Sequence, residues 1–342
     1  MLMQRGIKLE QHKAESLLHP VQELPDAAGL PPPKFFRAPK GRPDWEAVLR
    51  AAEEAEITDE FEDVPLAEKL RRMRRAGVSL ALACCVDEDP YTTSAMAALR
   101  EQTDGVIAGL ALAARACGAK KSEIAVADRR EKKEILRRSP EAKLVVAGTR
   151  YPARALLRRS LQAEGGKAAF VGAQACAALA AAVSRGEAQH DAIVTVAGSG
   201  VEIPRNVRVR IGTPLRHLLD FCGVHERTRL IVTGSSVTGR AVTDPSVPVT
   251  AATRCVIAML RPPRYKTYAC IGCGRCSRAC PRGIVPWRIY QEMERSRPDP
   301  LKLLNARSCI DCASCSMICP SGLDLAAAVK RAAAIMESGD LH

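Results

Sequence analysis

Eight of the fourteen cysteines lie within fifty residues, in two copies of one pattern. Each copy reads Cys-x2-Cys-x2-Cys-x3-Cys-Pro; the first motif spans residues 270–281 and the second motif spans residues 309–320. Four cysteine thiolates at this spacing wrap a cubane iron–sulfur cluster. Because such clusters mostly carry single electrons, the two motifs indicate a protein on an electron-transfer route.

The last cysteine of each motif precedes a proline and usually ligates the cluster of the other motif. We therefore predict two [4Fe-4S] clusters with crossed ligand sets, a crossing that would hold them side by side for electron exchange. Small residues such as Gly272, Gly274 and Ala313 would let backbone N–H groups approach the sulfur atoms. The first set is Cys270, Cys273, Cys276 and Cys319, and the second set is Cys309, Cys312, Cys315 and Cys280.

Two other uses of clustered cysteines fit these motifs less well. Zinc sites usually consist of two Cys-x2-Cys pairs separated by a longer gap. The third and fourth cysteines of each motif do not form such a second pair. Disulfide frameworks are typical of short secreted chains, whereas this chain has 342 residues. Gln4 and Arg5 directly follow the first apolar residues, so we expect no secretory signal and a reducing compartment. The six cysteines outside the motifs are expected in the core.

The charge balance leaves two interpretations open. The formal net charge is +13 with every cysteine counted as neutral, and each all-cysteine cubane would add a net charge of roughly −2. Basic clusters at 69–75, 129–133 and 154–159 fit either a docking face for an acidic partner or membrane surface, or ordinary solvated helix faces. Aromatic residues make up 4% of the chain, and no groove-reading motif is visible, so we expect no nucleic-acid partner.

Apolar runs and turn residues predict an α/β fold for the middle of the chain. Strands alternate with helices from residue 78, a pattern typical of a mostly parallel sheet. We expect a buried strand at 78–86, one long helix at 94–117 and the last strand of the same sheet at 193–197. A smaller α+β module follows, with a strand at 207–211 and a helix at 215–221.

Several stretches resemble the C subunit of the Rnf electron-transport complex, which is related to the flavin- and NADH-binding subunit of respiratory complex I. The spacing of thirty-nine residues between the two cysteine motifs is also similar to that of the family. The matching stretches are Arg5 to Leu9 with His12 and Lys13, the acidic turn from Asp87 to Thr92, Tyr151 with Pro152, and the run from Val194 to Pro214.

The resemblance implies a complex I 51-kDa-like parallel-sheet domain, a small β-grasp (SLBB-type) module and a mostly helical two-cluster ferredoxin domain. We therefore expect an irregular arm at 1–65, which includes an acidic loop at 58–63. A Rossmann-like α/β domain is expected at 66–200, the β-grasp module at 201–260 and the ferredoxin-type domain at 261–342.

The resemblance also implies an electron-transfer subunit of a membrane-associated, redox-driven ion-translocating complex. Its partners would be the other subunits and a ferredoxin or NADH-side redox protein, at the cytoplasmic face of the inner membrane. The family's FMN lies beside the turn that corresponds to Asp87, Glu88 and Asp89. These three residues follow a strand, where open α/β sheets bind ligands, although an ordinary polar turn would look the same.

Several family motifs are missing, and they concern the flavin. The glycine-rich G-x-G-G-A-x-F-P loop that cradles the flavin phosphate is absent, because residues 75–83 run directly into the strand. The loop after Tyr151 and Pro152 differs, and residues 25–60 leave no room for the family's small barrel. The sequence therefore leaves two questions open: whether the chain binds NADH itself, and whether it has enzymatic activity. The alternative is a soluble NADH- and flavin-dependent reductase, of the corrinoid-reductase kind, with a ferredoxin domain.

Overall fold

The computed structural model describes residues 20–27, 29–261, 266–295 and 305–338. Its contacts divide these residues into two units. The larger unit holds the described residues up to 235 together with 240–261, and the smaller unit holds 236–239 and the described residues after 261. The stretch from Arg5 to Lys13, which contributed to the family resemblance, lies outside the described residues.

The strands are short and are numbered along the chain. They are β1 (Gln22–Glu23), β2 (Thr58–Asp59), β3 (Val64–Pro65), β4 (Leu80–Cys84), β5 (Lys121–Val126), β6 (Leu144–Val146), β7 (Ala168–Gly172), β8 (Asp191–Ala197), β9 (Arg205–Arg210), β10 (Leu230–Thr233), β11 (Arg240–Val242) and β12 (Cys255–Met259).

The helices of the larger unit lie between its strands, and those of the smaller unit lie within or after the cysteine motifs. They are α1 (Trp45–Glu54), α2 (Leu66–Arg75), α3 (Ser94–Glu101), α4 (Thr103–Cys117), α5 (Arg129–Arg138), α6 (Ala153–Ala163), α7 (Ala173–Arg185), α8 (Leu215–Phe221), α9 (Arg275–Ala279), α10 (Pro286–Glu294), α11 (Ser314–Met317) and α12 (Leu325–Ser338), with a short 3-10 turn at Ala306–Ser308.

The predicted parallel sheet is present and has the strand order β6-β5-β4-β7. All three neighbouring pairs are parallel. Continuous apolar sequence explains β4, because helices cover this strand and four of its five residues are buried. On one side of the sheet α4 packs against α7 at Gly109, where a side chain would collide with the backbone carbonyl of Cys176. Glycine at this position therefore sets how closely the two helices approach.

The single helix expected over 94–117 was wrong, because α3 and α4 are separate helices. The chain breaks at Gln102, whose φ of −130° and ψ of 41° are not helical. Thr103 adds a local competitor, since its hydroxyl donates to the carbonyl of Leu99. With its amide oriented to match its neighbours, Gln102 accepts from both terminal nitrogens of Arg208. The residue that holds the break is thus far away along the chain.

The assignment of the 193–197 strand to the parallel sheet was also wrong. It forms part of β8, which lies in a second, six-stranded sheet of order β1-β9-β8-β12-β10-β11. β8 pairs antiparallel with β9 and parallel with β12. Its side chains alternate between two cores: Ala192, Val194 and Val196 pack in the core of this sheet, whereas Ile193 packs in the core around α4 and α7. β1 also joins this sheet, beside β9, although the arm was expected to be irregular.

All six cysteines outside the motifs are buried, as expected. They lie within the larger unit, and none of them forms a disulfide. Burial raises the pKa of Cys84 to about 11 and that of Cys222 to about 12, and it raises the pKa values of Cys85 and Cys176 well above the usual range. These thiols therefore stay protonated and pack as small apolar side chains.

Within the part of the chain that is described, no helix has both the length and the apolar character needed to cross a membrane.

We predict that Gly109→Ala destabilises the larger unit, because the added methyl group meets the Cys176 carbonyl and forces α4 away from α7. Overpacking of this kind costs about 1–3 kcal/mol of unfolding free energy. Gly105→Ala in the same helix is the matched control, since its added carbon has no neighbour closer than 3.8 Å. Urea unfolding should show a loss for the first variant, and no loss or a small gain for the second. Equal losses would contradict the packing argument.

Candidate iron–sulfur centres and the edge of the parallel sheet

The structure brings the second predicted cysteine set together. One cavity in the smaller unit is lined by its four members: Cys280, Cys309, Cys312 and Cys315. The space not filled by protein atoms is about 360 Å³, part of it open to solvent. Ile284 and Val329 belong to its apolar wall. The cavity thus brings one cysteine of the first motif beside three of the second.

The thiols of this set are close enough to influence one another. Burial, and then the neighbouring Cys312, Cys309 and Cys280, raise the pKa of Cys315 to about 12. Burial is also the main cause of the raised pKa of Cys309. Thiolates in such a buried site are stable only beside a cation. The four cysteines would hold a cluster as thiolates, with its iron atoms in place of the thiol protons. The set fits the ligands of a [4Fe-4S] cluster in donor type and number.

The first predicted set shares a second apolar cluster of the smaller unit. Cys276 and Cys319 are buried there, and the partly buried Cys270 packs against them. Cys273, the remaining member, is exposed. Cys315 of the second set also borders this cluster, so the two sets adjoin. Among the described residues no three ligand-type side chains are arranged around a single metal ion.

The backbone around both sets takes the same left-handed turns. Gly272 and Gly274 have φ values of 66° and 67° in the first motif, and Asp311 and Ala313 have values of 52° and 53° at the equivalent positions of the second. Such turns suit glycine and are strained for other residues. In the second motif the turn points the N–H of Asp311 at the sulfur of Cys309, 3.4 Å away. This contact is of the N–H···S type that tunes cluster potentials.

The three candidate flavin residues lie at the carboxyl end of β4, and all three bind groups of the protein itself. Asp87 caps α3, because its carboxylate accepts from the N–H groups of Ala95 and Met96. Glu88 accepts from the backbone N–H and the guanidinium of Arg154 at the start of α6, with the ion pair 3.0 Å long.

Asp89 accepts from the N–H of Tyr91 and the hydroxyl of Ser235. Asp89 is buried, and Asp87 is buried beside it. The three side chains are therefore brought to one sheet edge, where they hold helix starts and a turn together.

Internal carboxyl groups also meet the other helices that follow strands of this sheet. Asp128 caps α5 through the N–H groups of Arg130 and Glu131. At α7, Asp59 accepts from the N–H of Gly172, which precedes the helix, and Glu60 accepts from those of Gln174 and Ala175, its second and third residues. With Asp87 at α3 and Glu88 at α6, each of the four helix starts at this edge is met by a carboxyl group.

The carboxyl groups at α7 belong to a buried charge network that the sequence did not reveal. Burial, and then the neighbouring Asp59, raise the pKa of Glu60 to about 7. Asp59 pairs with Lys69 at 3.0 Å, and Lys69 is only 2% exposed and also pairs with Glu62 at 3.1 Å. A β-carbon on residue 172 would collide with the Glu60 carboxyl group, so a larger residue there would displace this carboxyl group from its hydrogen bonds. In sequence these residues were an acidic loop at 58–63 with no sign of their partners.

This edge does not fit a flavin phosphate. Phosphates in α/β folds bind at helix N-termini, where backbone N–H groups and the helix dipole attract negative charge. Here carboxyl groups of the chain already accept hydrogen bonds from N–H groups at the four described helix starts. The missing glycine-rich loop agrees with this arrangement. The residues present thus provide no cradle for the phosphate of FMN at the carboxyl edge of the sheet.

Two segments of the chain match known family models. Residues 269–323 match the 4Fe-4S dicluster domain, and residues 193–224 match the SLBB domain. A crystal structure of an NAD+-reducing [NiFe]-hydrogenase in the H2-reduced state has a similar fold, with a TM-score of 0.54 and 14% identity over 86% of this chain and 61% of that chain. The protein therefore combines a complex I 51-kDa-like α/β fold, an SLBB domain and a ferredoxin-type domain that binds 4Fe-4S clusters.

Sequence relatives specify the family further. The C subunit of the ion-translocating oxidoreductase complex of Rhodobacter capsulatus is 29% identical over 302 residues, which is 78% of this chain and 58% of that protein. The C subunit of a proton-translocating ferredoxin:NAD(+) oxidoreductase complex of Clostridium ljungdahlii is 30% identical, over 58% of this chain and 47% of that protein.

The chain is thus a homologue of the C subunits of ion-translocating oxidoreductase complexes, which confirms the resemblance and the fold class predicted from sequence. It spans about half the length of the curated relatives that it matches.

We predict that Glu60→Gln removes part of the pH dependence of stability. Glu60 has a folded-state pKa of about 7 against its usual 4.5, so the folded protein binds the proton more tightly than the unfolded chain. The stability that this proton provides is complete below pH 4.5 and is lost as the pH rises through 7; the shift corresponds to at most about 3 kcal/mol.

Urea unfolding at several pH values, on wild type and variant, measures this effect. The unfolding free energy of the wild type should fall more steeply between these pH values than that of the variant. Glu54→Gln, on an exposed part of α1, is the matched control and should follow the wild type. Parallel curves for wild type and Glu60→Gln would show that this carboxyl group does not titrate in that range.

Proposed function

We propose that this protein is an electron-transfer subunit of an Rnf-like ion-translocating oxidoreductase complex, and that electrons pass through two [4Fe-4S] clusters. The observation that carries the proposal is the cavity lined by Cys280 of the first motif and three cysteines of the second. A crossed ligand set places two clusters next to each other, and adjacent clusters are what single-electron transfer requires.

In this proposal Cys270, Cys273, Cys276 and Cys319 hold one cluster, and Cys309, Cys312, Cys315 and Cys280 hold the other. The bound clusters supply one-electron oxidation and reduction, and the chain supplies the fixed thiolate positions. Ile284 and Val329 limit the access of water to the second set, while the N–H of Asp311 adds a hydrogen bond to sulfur. Both contributions act on the reduction potential.

We infer that the partners are other subunits of a membrane-bound complex, together with a ferredoxin or an NADH-side redox protein. Association with the cytoplasmic face of the inner membrane would be peripheral. The sequence relatives support this inference, because they are C subunits of ion-translocating complexes in two different bacteria.

The alternative, a soluble NADH- and flavin-dependent reductase, would need FMN as its entry point for electron pairs. The carboxyl groups of Glu60, Asp87 and Glu88 at the helix starts of the parallel sheet disfavour it. We therefore favour a subunit that works with its clusters alone.

We predict about eight irons per chain and no stoichiometric flavin after anaerobic purification, because each cubane contains four irons. Iron, sulfide and flavin analysis, with electron paramagnetic resonance of the reduced protein, provide the measurement. Stoichiometric FMN with rapid cluster reduction by NADH would support the reductase instead. A protein that holds only zinc after anaerobic reconstitution would contradict both functions.

We predict that paired serine substitutions distinguish crossed from uncrossed ligand sets. Cys280→Ser with Cys312→Ser removes two ligands from one crossed set, so one intact cluster with about four irons should remain. Cys280→Ser with Cys273→Ser is the matched control, because it removes one ligand from each crossed set and should damage both clusters. Iron content and the resonance spectrum report the outcome, and the reverse result would show that each motif holds its own cluster.

A further inference from the structure

The two cysteine motifs are matched in sequence but opposite in charge. Positions thirty-nine residues apart correspond, so residues 266–288 and residues 305–327 form equivalent halves of the smaller unit. The first half has five basic residues and no acidic one, and all five are exposed: Lys266, Arg275, Arg278, Arg282 and Arg288. The second half has one basic and two acidic residues: Arg307, Asp311 and Asp324. The first half is therefore the positive one.

Apolar side chains are exposed in the middle of this positive half. Ile271 is 70% exposed and Tyr268 is 62% exposed, while Ile310, at the position equivalent to Ile271, is 45% exposed. Cys273 is exposed beside Ile271. Protein interfaces commonly have an apolar and aromatic centre with arginine around it. Of the eight motif cysteines, Cys273 is the one that the structure leaves exposed.

The loop that carries these side chains is fixed by hydrogen bonds. The guanidinium of Arg278 donates to the carbonyl of Cys273 at 3.3 Å, which places positive charge against the cysteine loop. Tyr268 donates its N–H to the carbonyl of Ser321, and the Ser321 hydroxyl donates to the carbonyl of Ala269. A partner would therefore meet a preformed surface and would lose little entropy in ordering it.

We infer that Tyr268, Ile271, Cys273, Arg275 and Arg278, here called the first-loop surface, form the docking site of a small acidic redox protein. This inference rests on the proposed function. Positive charge around the loop attracts and orients an acidic partner, and the exposed Cys273 brings the edge of the first cluster to the contact. The first cluster is then the point where electrons enter or leave, and the second cluster is the inner one.

The test uses the full chain with its clusters and a reduced acidic flavodoxin as the probe. Stopped-flow absorbance gives the second-order rate of electron transfer to the clusters at ionic strengths from about 0.01 M to about 0.1 M, over which the Debye length falls from about 30 Å to about 10 Å. We expect the rate to fall steeply with salt. Arg275→Glu with Arg278→Glu should slow it at least tenfold at low salt and remove the salt dependence.

Lys330→Glu with Arg331→Glu is the matched control, because it makes the same charge change on exposed positions of α12 in the same unit. It should keep most of the wild-type rate. Dithionite, which needs no docking surface, should reduce wild type and both variants to the same extent and so report that the clusters are intact.

Three results of the rate measurements would overturn the inference: a rate that does not depend on salt, an equal loss in the control variant, or an unchanged rate in the Arg275 and Arg278 variant. Binding of that positive surface to anionic lipid vesicles, with no change in the flavodoxin rate, would assign it to a membrane and also overturn the inference. If dithionite fails to reduce the wild-type clusters reversibly, the proposed function itself fails.

Discussion

The packing of the last cysteine of each motif against the other motif is the constraint on which the smaller unit depends. Cys280 leaves its own motif to line the cavity of the second, and Cys319 packs with Cys270 and Cys276 of the first. With the ligand sets proposed above, neither motif completes a cluster site unless the other is folded against it. Cluster binding and the folding of this unit are therefore coupled, since a site that does not exist in the unfolded chain makes binding energy into folding energy.

In the larger unit, carboxyl groups of the chain bind the backbone N–H groups at the starts of the helices. In a parallel α/β fold the helix starts gather at one edge, and their N–H groups attract anions. This chain meets those groups with its own carboxyl groups: Asp87, Glu88, Asp128 and the Asp59–Glu60 pair. The sheet thereby gains internal hydrogen bonds at the edge where open α/β sheets commonly bind ligands.

Local patterns predicted what depends on local chemistry. The cysteine spacing predicted the four cysteines that line one cavity of the smaller unit, and the apolar run of β4 predicted a buried central strand. The break between α3 and α4 at Gln102 was not predicted, because Arg208 stabilises it from the other sheet. The place of β8 escaped because a short apolar run does not show which sheet it joins. The contact of Glu60 with α7 was not predicted, because the sequence of an acidic turn does not indicate which helix it will contact.

The deep burial of the six remaining cysteines has a practical consequence. Their protonated, enclosed thiols should resist alkylating reagents and peroxide in the folded protein. Chemical labelling would then report on the motif cysteines alone, and each thiol that becomes reactive would count a ligand released by a decaying cluster. The number of reactive thiols would thus measure directly how far oxygen has damaged the clusters.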